Sequence, residues 1–287
     1  MSESPLPGLP IAKLLDVHVH YGEVEALAGV TLDVRAGALT ALVGRNGAGK
    51  TTMVNVLAGL LAVDTGEVEL FGHSWLNPAD SEYLRGDVGF LLSDPSLFQY
   101  LTAAETLEFL AAAYGLHEDV ARARVADLLQ FFDLDEVRDR MCDELSTGMR
   151  KRLALAAAVV HAPRLLVLDE PFESLDPLIV RRLRRLLVRY VRAGGSVLLS
   201  SHLVDVIQEI ADHVYILEQG QIVFEGPGSQ FRTRMTPSDE GGALETKYAS
   251  LVEQKEHVGV DWLAESTRRT PGQRESQRTR MSMPEKS

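Results

Sequence analysis

The chain has 287 residues, 45% of them hydrophobic, and a formal net charge of −12. That length suits one large domain, or one domain with an appendage, and the acidic balance argues against free nucleic acid as the main partner. Cys142 is the only cysteine, so no intramolecular disulfide can form and a reducing cytosol is expected. The Pro-rich start, Met1 to Pro10, has no basic residue and no apolar core segment, so no signal peptide is expected. No apolar run approaches the ~20 residues needed to cross a bilayer.

Short strands come first, at Leu14–His20, Leu27–Val34 and Ala38–Val43. The alternation in Asp16-Val17-His18-Val19-His20 predicts a half-exposed strand. His18 and His20 share a face of it, but no carboxylate or cysteine is evident to complete a metal set, so a surface strand face is expected. The third strand runs into Gly44-Arg45-Asn46-Gly47-Ala48-Gly49-Lys50-Thr51, which fits GxxxxGK[ST] position for position. A helix-compatible run from Thr51 and Thr52 to Ala58 follows. In this strand–loop–helix context the glycines let backbone N–H groups wrap around phosphate oxygens, and the helix N-terminus adds partial positive charge. Lys50 is expected to neutralise β- and γ-phosphates and the Thr51 hydroxyl to bind Mg²⁺.

Further along, Thr65–Gly72 reads as a strand ending in a turn, and Val88–Leu92 as an apolar strand running into Ser93 and Asp94. Ala103–Tyr114, Glu118–Phe132 and Lys151–His161 have helical spacing, and Arg164–Asp169 reads as a buried parallel strand. Ile179–Val191 is an amphipathic helix whose Arg181, Arg182, Arg184 and Arg185 suit a solvated or salt-bridged face. A strand at Ser196–Ser200, a helix at Leu203–Ala211 and a hairpin of Val214–Leu217 with Gln221–Phe224 complete an α/β fold with a mainly parallel core sheet. Beyond Gly228 the composition shifts. Leu244, Tyr248, Leu251 and Val252 predict a short helix within an appendage spanning 229–264. Residues 265–287 are expected to be disordered.

A phosphate loop alone leaves kinases, GTPases and many ATPases open. The pair Asp169-Glu170 at the end of an apolar strand narrows this. Asp169 is placed to hold Mg²⁺, and Glu170 to polarise an attacking water, which a hydrolase needs and a kinase does not.

On these residues the chain resembles the ATP-binding cassette family, from about Leu14 to Gly226. Tyr21 matches the aromatic residue that stacks on adenine. Leu145-Ser146-Thr147-Gly148-Met149 sits where the signature LSGGQ belongs, directly before the Lys151 helix. Ser174-Leu175-Asp176 matches the D-loop, and His202 the switch histidine that contacts the γ-phosphate. The resemblance implies a P-loop NTPase core with a mainly parallel sheet, an N-terminal antiparallel β subdomain and a helical subdomain inserted at about 88–160, the cassette filling 1–228. It implies ATP and Mg²⁺ as ligands and hydrolysis to ADP and phosphate. It also implies a second cassette, identical or different, whose bound γ-phosphate meets Ser146 and Gly148, with Asp176 nearby. A separate transmembrane permease would hold the chain at the cytoplasmic membrane face. The stretch from Asp94 through Leu107, followed by Tyr114-Gly115-Leu116, is similar to cassettes of bacterial export systems, and no specific nucleic acid is implied.

Three departures stand out: Thr147 for Gly, Met149 for Gln, and Ser93 where the family usually places a Gln. Ser93 is shorter and is expected to reach the metal only through water, giving slow basal turnover. The competing readings are a soluble cassette ATPase in DNA or translation processes and a weakly hydrolysing regulatory cassette.

Overall fold

The computed structural model describes residues 10–74, 77–235, 260 and 262–263. Two sheets organise them. The smaller is antiparallel, ordered β2-β1-β4, from β1 (Pro10–Tyr21), β2 (Val24–Arg35) and β4 (Thr65–Leu70). The larger has the order β5-β6-β7-β3-β8-β9, built from β3 (Leu39–Val43), β5 (Val88–Leu91), β6 (Leu165–Asp169), β7 (Ser196–Ser201), β8 (His213–Glu218) and β9 (Gln221–Pro227). Its pairs are parallel except for the β8–β9 hairpin. The helices are α1 (Lys50–Leu57), α2 (Pro78–Asp87), α3 (Ala103–Ala113), α4 (Glu118–Phe131), α5 (Thr147–Val159), α6 (Pro177–Arg192), α7 (Val204–Ile210) and α8 (Gly228–Met235).

The parallel strands are buried on both faces, which explains why they read as continuous apolar runs. Along β6, Leu166 and Leu168 enter one core while Leu165 and Val167 enter the other. The first core lies under α3 to α7, and the second joins the antiparallel sheet and α1 to the opposite face. Because successive strand residues point to opposite faces, one sheet serves both cores. The helices start where local chemistry allows. Thr102 and Glu105 form a reciprocal capping box at the head of α3, satisfying two N–H groups the helix leaves open. Asp176 caps α6, with Pro177 in the first turn.

Several expectations need correcting. The signature helix begins at Thr147 rather than Lys151, because Ser146 caps it: its Oγ accepts the Met149 N–H at 3.3 Å. Helix α2 was not legible in the sequence. Strand β1 is longer than expected and carries register shifts near Asp16, whose φ of +49° marks a bulge. The predicted stripe at Leu244, Tyr248, Leu251 and Val252 and the tail at 265–287 lie outside the described residues. Of the expected appendage, Val260 and Leu263 are buried against the first core, and the Arg124 guanidinium lies 4.4 Å from the Trp262 ring centroid. Among the described residues no helix is long and apolar enough to cross a membrane.

Candidate active site

Strand β3, fully buried, delivers the chain into the phosphate loop, and α1 carries it away. Gly49 precedes α1 at φ +107°, and a Cβ there would lie 2.6 Å from the Ala26 carbonyl oxygen. Gly44 is equally constrained, since its Cβ would meet the Leu217 carbonyl oxygen at 2.5 Å. These approaches exclude a side chain at either position. The N-terminus of α1 has no side-chain cap and no acidic residue in its first turn, so its open N–H groups suit an anion. Arg45, Asn46 and Gly47 are exposed at the rim, while Ala48 and Thr52 are buried beneath.

Lys50 lies along this loop with its side chain 6% exposed. Its Nζ donates to the carbonyls of Gly44 at 2.8 Å and Arg45 at 3.2 Å. It also pairs with Glu170 Oε1 at 3.2 Å. Parallel pairing of β3, β7 and β6 sets their C-terminal ends side by side, with Asp169 opposite Ser200. That alignment gathers the remaining groups. Thr51 Oγ1 donates to Asp169 Oδ2 at 2.8 Å. Ser93 Oγ lies 3.2 Å from Thr51 Oγ1 and donates directly to Asp169 Oδ2. Ser93 Oγ therefore reaches the Asp169 carboxylate without an intervening water. Leu91 pairs with Leu168, so the chain two residues on reaches Asp169 despite the short side chain. Thr51, Asp169 and Ser93 present three convergent oxygens.

Glu170 follows with φ +46°, a left-handed conformation uncommon for a residue with a Cβ and costing about 1–3 kcal/mol. Its Oε2 receives His202 Nδ1 at 3.0 Å and the His202 N–H at 3.3 Å. Its Oε1 accepts no hydrogen bond among the described residues and has the Lys50 ammonium beside it. Two supporting residues escaped the sequence reading. Ser200 is fully buried, donates to Asp169 Oδ1 and accepts the Glu170 N–H at 3.0 Å. Lys151 is 7% exposed and its Nζ donates to the Asp169 carbonyl at 3.2 Å. Burial pushes the Lys151 ammonium below its ordinary value, against the opposing pull of Asp169, Glu173 and Glu170.

The other expected residues are dispersed around this centre. Tyr21 ends β1 with 51% exposure, an open ring face. Ser146 and Thr147 are exposed at the head of α5, so the extra methyl of Thr147 meets solvent rather than core. Met149 packs against the first core, which accounts for an apolar residue there. The Gly148 backbone approaches the Ser174 carbonyl, leaving 3.0 Å for an added Cβ. Asp176 spends its carboxylate on the N–H groups of Leu178 and Ile179, both at 3.0 Å. A cleft of about 440 Å³ between these segments is lined by Ser93, Asp94, Thr147, Arg150, Lys151 and Ser174. It shares Ser93 with the oxygen cluster but lies beside it rather than over the phosphate loop.

Carboxylates approach the His18/His20 face through strand pairing. Antiparallel pairing sets Glu25 opposite His20, and Glu25 lies 2.8 Å from His18 Nδ1 while Asp64 lies 2.9 Å from His20 Nδ1. Even so, among the described residues no three His, Cys, Asp or Glu side chains are grouped so as to hold a metal ion. Of the α6 arginines, Arg182 pairs with Asp133 at 2.8 Å and Arg184 with Glu209.

Comparison with known proteins agrees with this arrangement. Residues 27–173 match the family described as "ABC transporter". The bacitracin transport ATP-binding protein BcrA of Bacillus licheniformis is 32% identical over 225 residues, covering 78% of this chain and 72% of the relative. The Nod factor export ATP-binding protein I of Burkholderia orbicola is 36% identical over 215 residues, covering 74% and 69%. The daunorubicin/doxorubicin resistance protein DrrA of Streptomyces peucetius is 32% identical over 235 residues, covering 82% and 70%. Among solved structures, an ATP-binding subunit of an ABC transporter superposes with a TM-score of 0.72 at 28% identity, covering 84% of this chain and 99% of that one. The dimeric bacterial cassette MJ0796 gives 0.70 at 26% identity, covering 75% and 98%. A phosphate loop closed by Lys50, an acid pair at the end of β6, a histidine at the end of β7 and relatives of this kind lead to one conclusion: the chain belongs to the ABC transporter family, as one of its ATP-hydrolysing cassettes.

Proposed function

We propose that this cassette powers an export system by clamping Mg-ATP against a second cassette and hydrolysing it to ADP and phosphate. The observation that carries this is the convergence of Lys50, Thr51, Asp169, Glu170 and His202 on one end of the parallel sheet. In this reading Tyr21 stacks on adenine, and the N–H groups of Gly44 to Thr52 surround the phosphates. Mg²⁺ suits the oxygens of Thr51, Asp169 and Ser93, because it prefers hard oxygen ligands and retains water and phosphate for the rest. When bound, it neutralises phosphate charge.

The protein groups divide the remaining work. Lys50 exchanges its contact with Glu170 for the β- and γ-phosphates as nucleotide arrives, which frees Glu170 Oε1. That oxygen then takes a proton from the attacking water. His202 holds Oε2 and faces the γ-phosphate. Ser146 and the Gly148 N–H, at the head of α5, meet the γ-phosphate held by the second cassette, so these added ATP contacts exist only in the closed pair. Closure is then a population shift driven by ligand contacts that the open state lacks.

Relatives named for bacitracin transport, Nod factor export and daunorubicin/doxorubicin resistance support export as the direction. A separate permease fits a chain without a spanning helix among its described residues. An aromatic patch follows Ser93 in the chain and suits that partner. Phe98 and Phe109 pack edge to face at 5.1 Å, and Tyr100 is 84% exposed. Such an apolar cluster marks an interaction surface.

The test is co-purification. Tagged Glu170→Gln chain, given Mg-ATP and extracted from membranes in mild detergent, should bring down a stoichiometric multi-span protein. Replacing Phe98 and Tyr100 with serine should release it. Recovery only in the soluble fraction, with ribosomes or DNA, would instead support a soluble cassette ATPase.

A further inference from the structure

The Asp169 carbonyl and the Glu170 N–H belong to one peptide group, and that group is gripped at both ends by side chains from different elements. Lys151 Nζ donates to the carbonyl oxygen at 3.2 Å. Ser200 Oγ accepts the N–H at 3.0 Å while donating to Asp169 Oδ1. Lys151 lies one turn into α5, the helix that Ser146 caps, and Ser200 lies two residues before His202. Both grips are buried, at 7% and 0% exposure. Burying an ammonium is costly unless it is well partnered, yet among the described residues the hydrogen bond Lys151 makes to the site goes to a backbone carbonyl rather than to a carboxylate. A lysine kept there mainly for ion pairing would be expected to bond a carboxylate oxygen directly.

The gripped peptide leads into Glu170, whose φ is +46°. A residue with a Cβ relaxes from that region unless its surroundings hold it. Rotation of the peptide would swing the Glu170 carboxylate away from His202 and Lys50.

We infer that Lys151 and Ser200 are positioning residues that clamp the Asp169–Glu170 peptide, and that Lys151 thereby ties the aim of the catalytic base to the signature helix. The inference rests on the assignment of Glu170 as base. It adds a route by which the second cassette is sensed. When Ser146 and Gly148 engage that cassette's nucleotide, any shift of α5 passes through Lys151 to the peptide that orients Glu170. Neither side chain touches substrate, so both act on turnover rather than on affinity.

The test compares Lys151→Met, Lys151→Gln and Ser200→Ala in the full chain, measuring kcat, KM for ATP and thermal melting. Lys151→Met should lower kcat about tenfold or more, since small misplacement of a reacting group costs up to about 100-fold, while KM stays within about twofold. Lys151→Gln restores an N–H donor and should recover most of that loss. Ser200→Ala, a small change at the other end of the same peptide, should also lower kcat about tenfold. In a Glu170→Gln background, Lys151→Met should still form the Mg-ATP dimer.

A folded Lys151→Met with kcat within about twofold of wild type overturns the clamp. So does a Lys151→Gln as slow as Lys151→Met, or a loss confined to melting temperature. If Lys151→Met fails to fold, Ser200→Ala decides alone, and an unchanged kcat there refutes the proposal. Failure of the underlying assignment is distinguishable: Glu170→Gln by itself would then turn over normally.

Discussion

Replacing Lys50 with alanine removes an ammonium from the phosphate loop while leaving the loop's backbone intact. The side chain is buried, 6% exposed, and spans Gly44 O, Arg45 O and Glu170 Oε1. Opposite unit charges at the 3.2 Å of the Lys50–Glu170 pair attract by about 5 kcal/mol at an effective dielectric near 20. Nucleotide binding replaces that partner with phosphate rather than creating attraction from nothing, so the net worth is that of a charge-assisted hydrogen bond, about 1.5–3 kcal/mol. Lys50→Ala should therefore weaken ATP about 10- to 150-fold. Titration calorimetry with ATP and with ADP is the assay, with circular dichroism to confirm folding. ATP should lose more than ADP, because the γ-phosphate contact is also lost. A folded Lys50→Ala binding ATP within about threefold of wild type would refute the reasoning.

Three further outcomes are expected. Tyr21→Ala should weaken ATP and GTP alike, by about 1–3 kcal/mol, because stacking depends on a π-face and not on base identity; an unchanged Kd removes Tyr21 from the site. Asp176→Ala should cost about 1 kcal/mol through loss of the α6 cap and lower Tm by about 2–4 °C, while Asp176→Asn keeps most of it; equal melting of all three would show the cap to be idle. The His18–Glu25 contact should make stability depend on pH. The hydrogen bond that the His18 ring donates to the Glu25 carboxylate raises the His18 pKa above its ordinary 6.5. That contribution is fully present below 6.5 and is lost as pH rises through the folded value. Glu25→Gln should therefore lower Tm at about pH 5.5 and have less effect at about pH 8.5; a difference that grows with pH contradicts the assignment.

Much of the site could be read in the sequence, since its chemistry resides in contiguous motifs. Gly44 to Thr51, Asp169-Glu170, His202 and the Leu145–Met149 signature each announce themselves by residue type and local order. What could not be read depends on register across strands. Ser200 looks like one more residue of a buried strand until β6–β7 pairing sets it against Asp169. Lys151 resembles a surface lysine on an Ala/Leu helix, but the helix starts four residues earlier, and it is buried beneath the end of β6. Glu25 and Asp64 come to the histidines through hairpin pairing and a turn more than 40 residues away in sequence. Ser93 reads as a defect when judged by side-chain length. The register of β5 against β6 brings it within reach. Helix α2 contains Pro78, Gly86 and four charged residues and shows little helical pattern, so packing rather than propensity fixes it.

The central claim is that Glu170 activates water at a nucleotide shared between two cassettes. Glu170→Gln keeps the side-chain shape and removes the base. With Mg-ATP, light scattering and single-turnover hydrolysis should show a stable dimer, ATP affinity within about twofold of wild type, and turnover reduced about 100-fold or more. Turnover at the wild-type rate, or a chain that remains monomeric with ATP fully bound, would contradict the account.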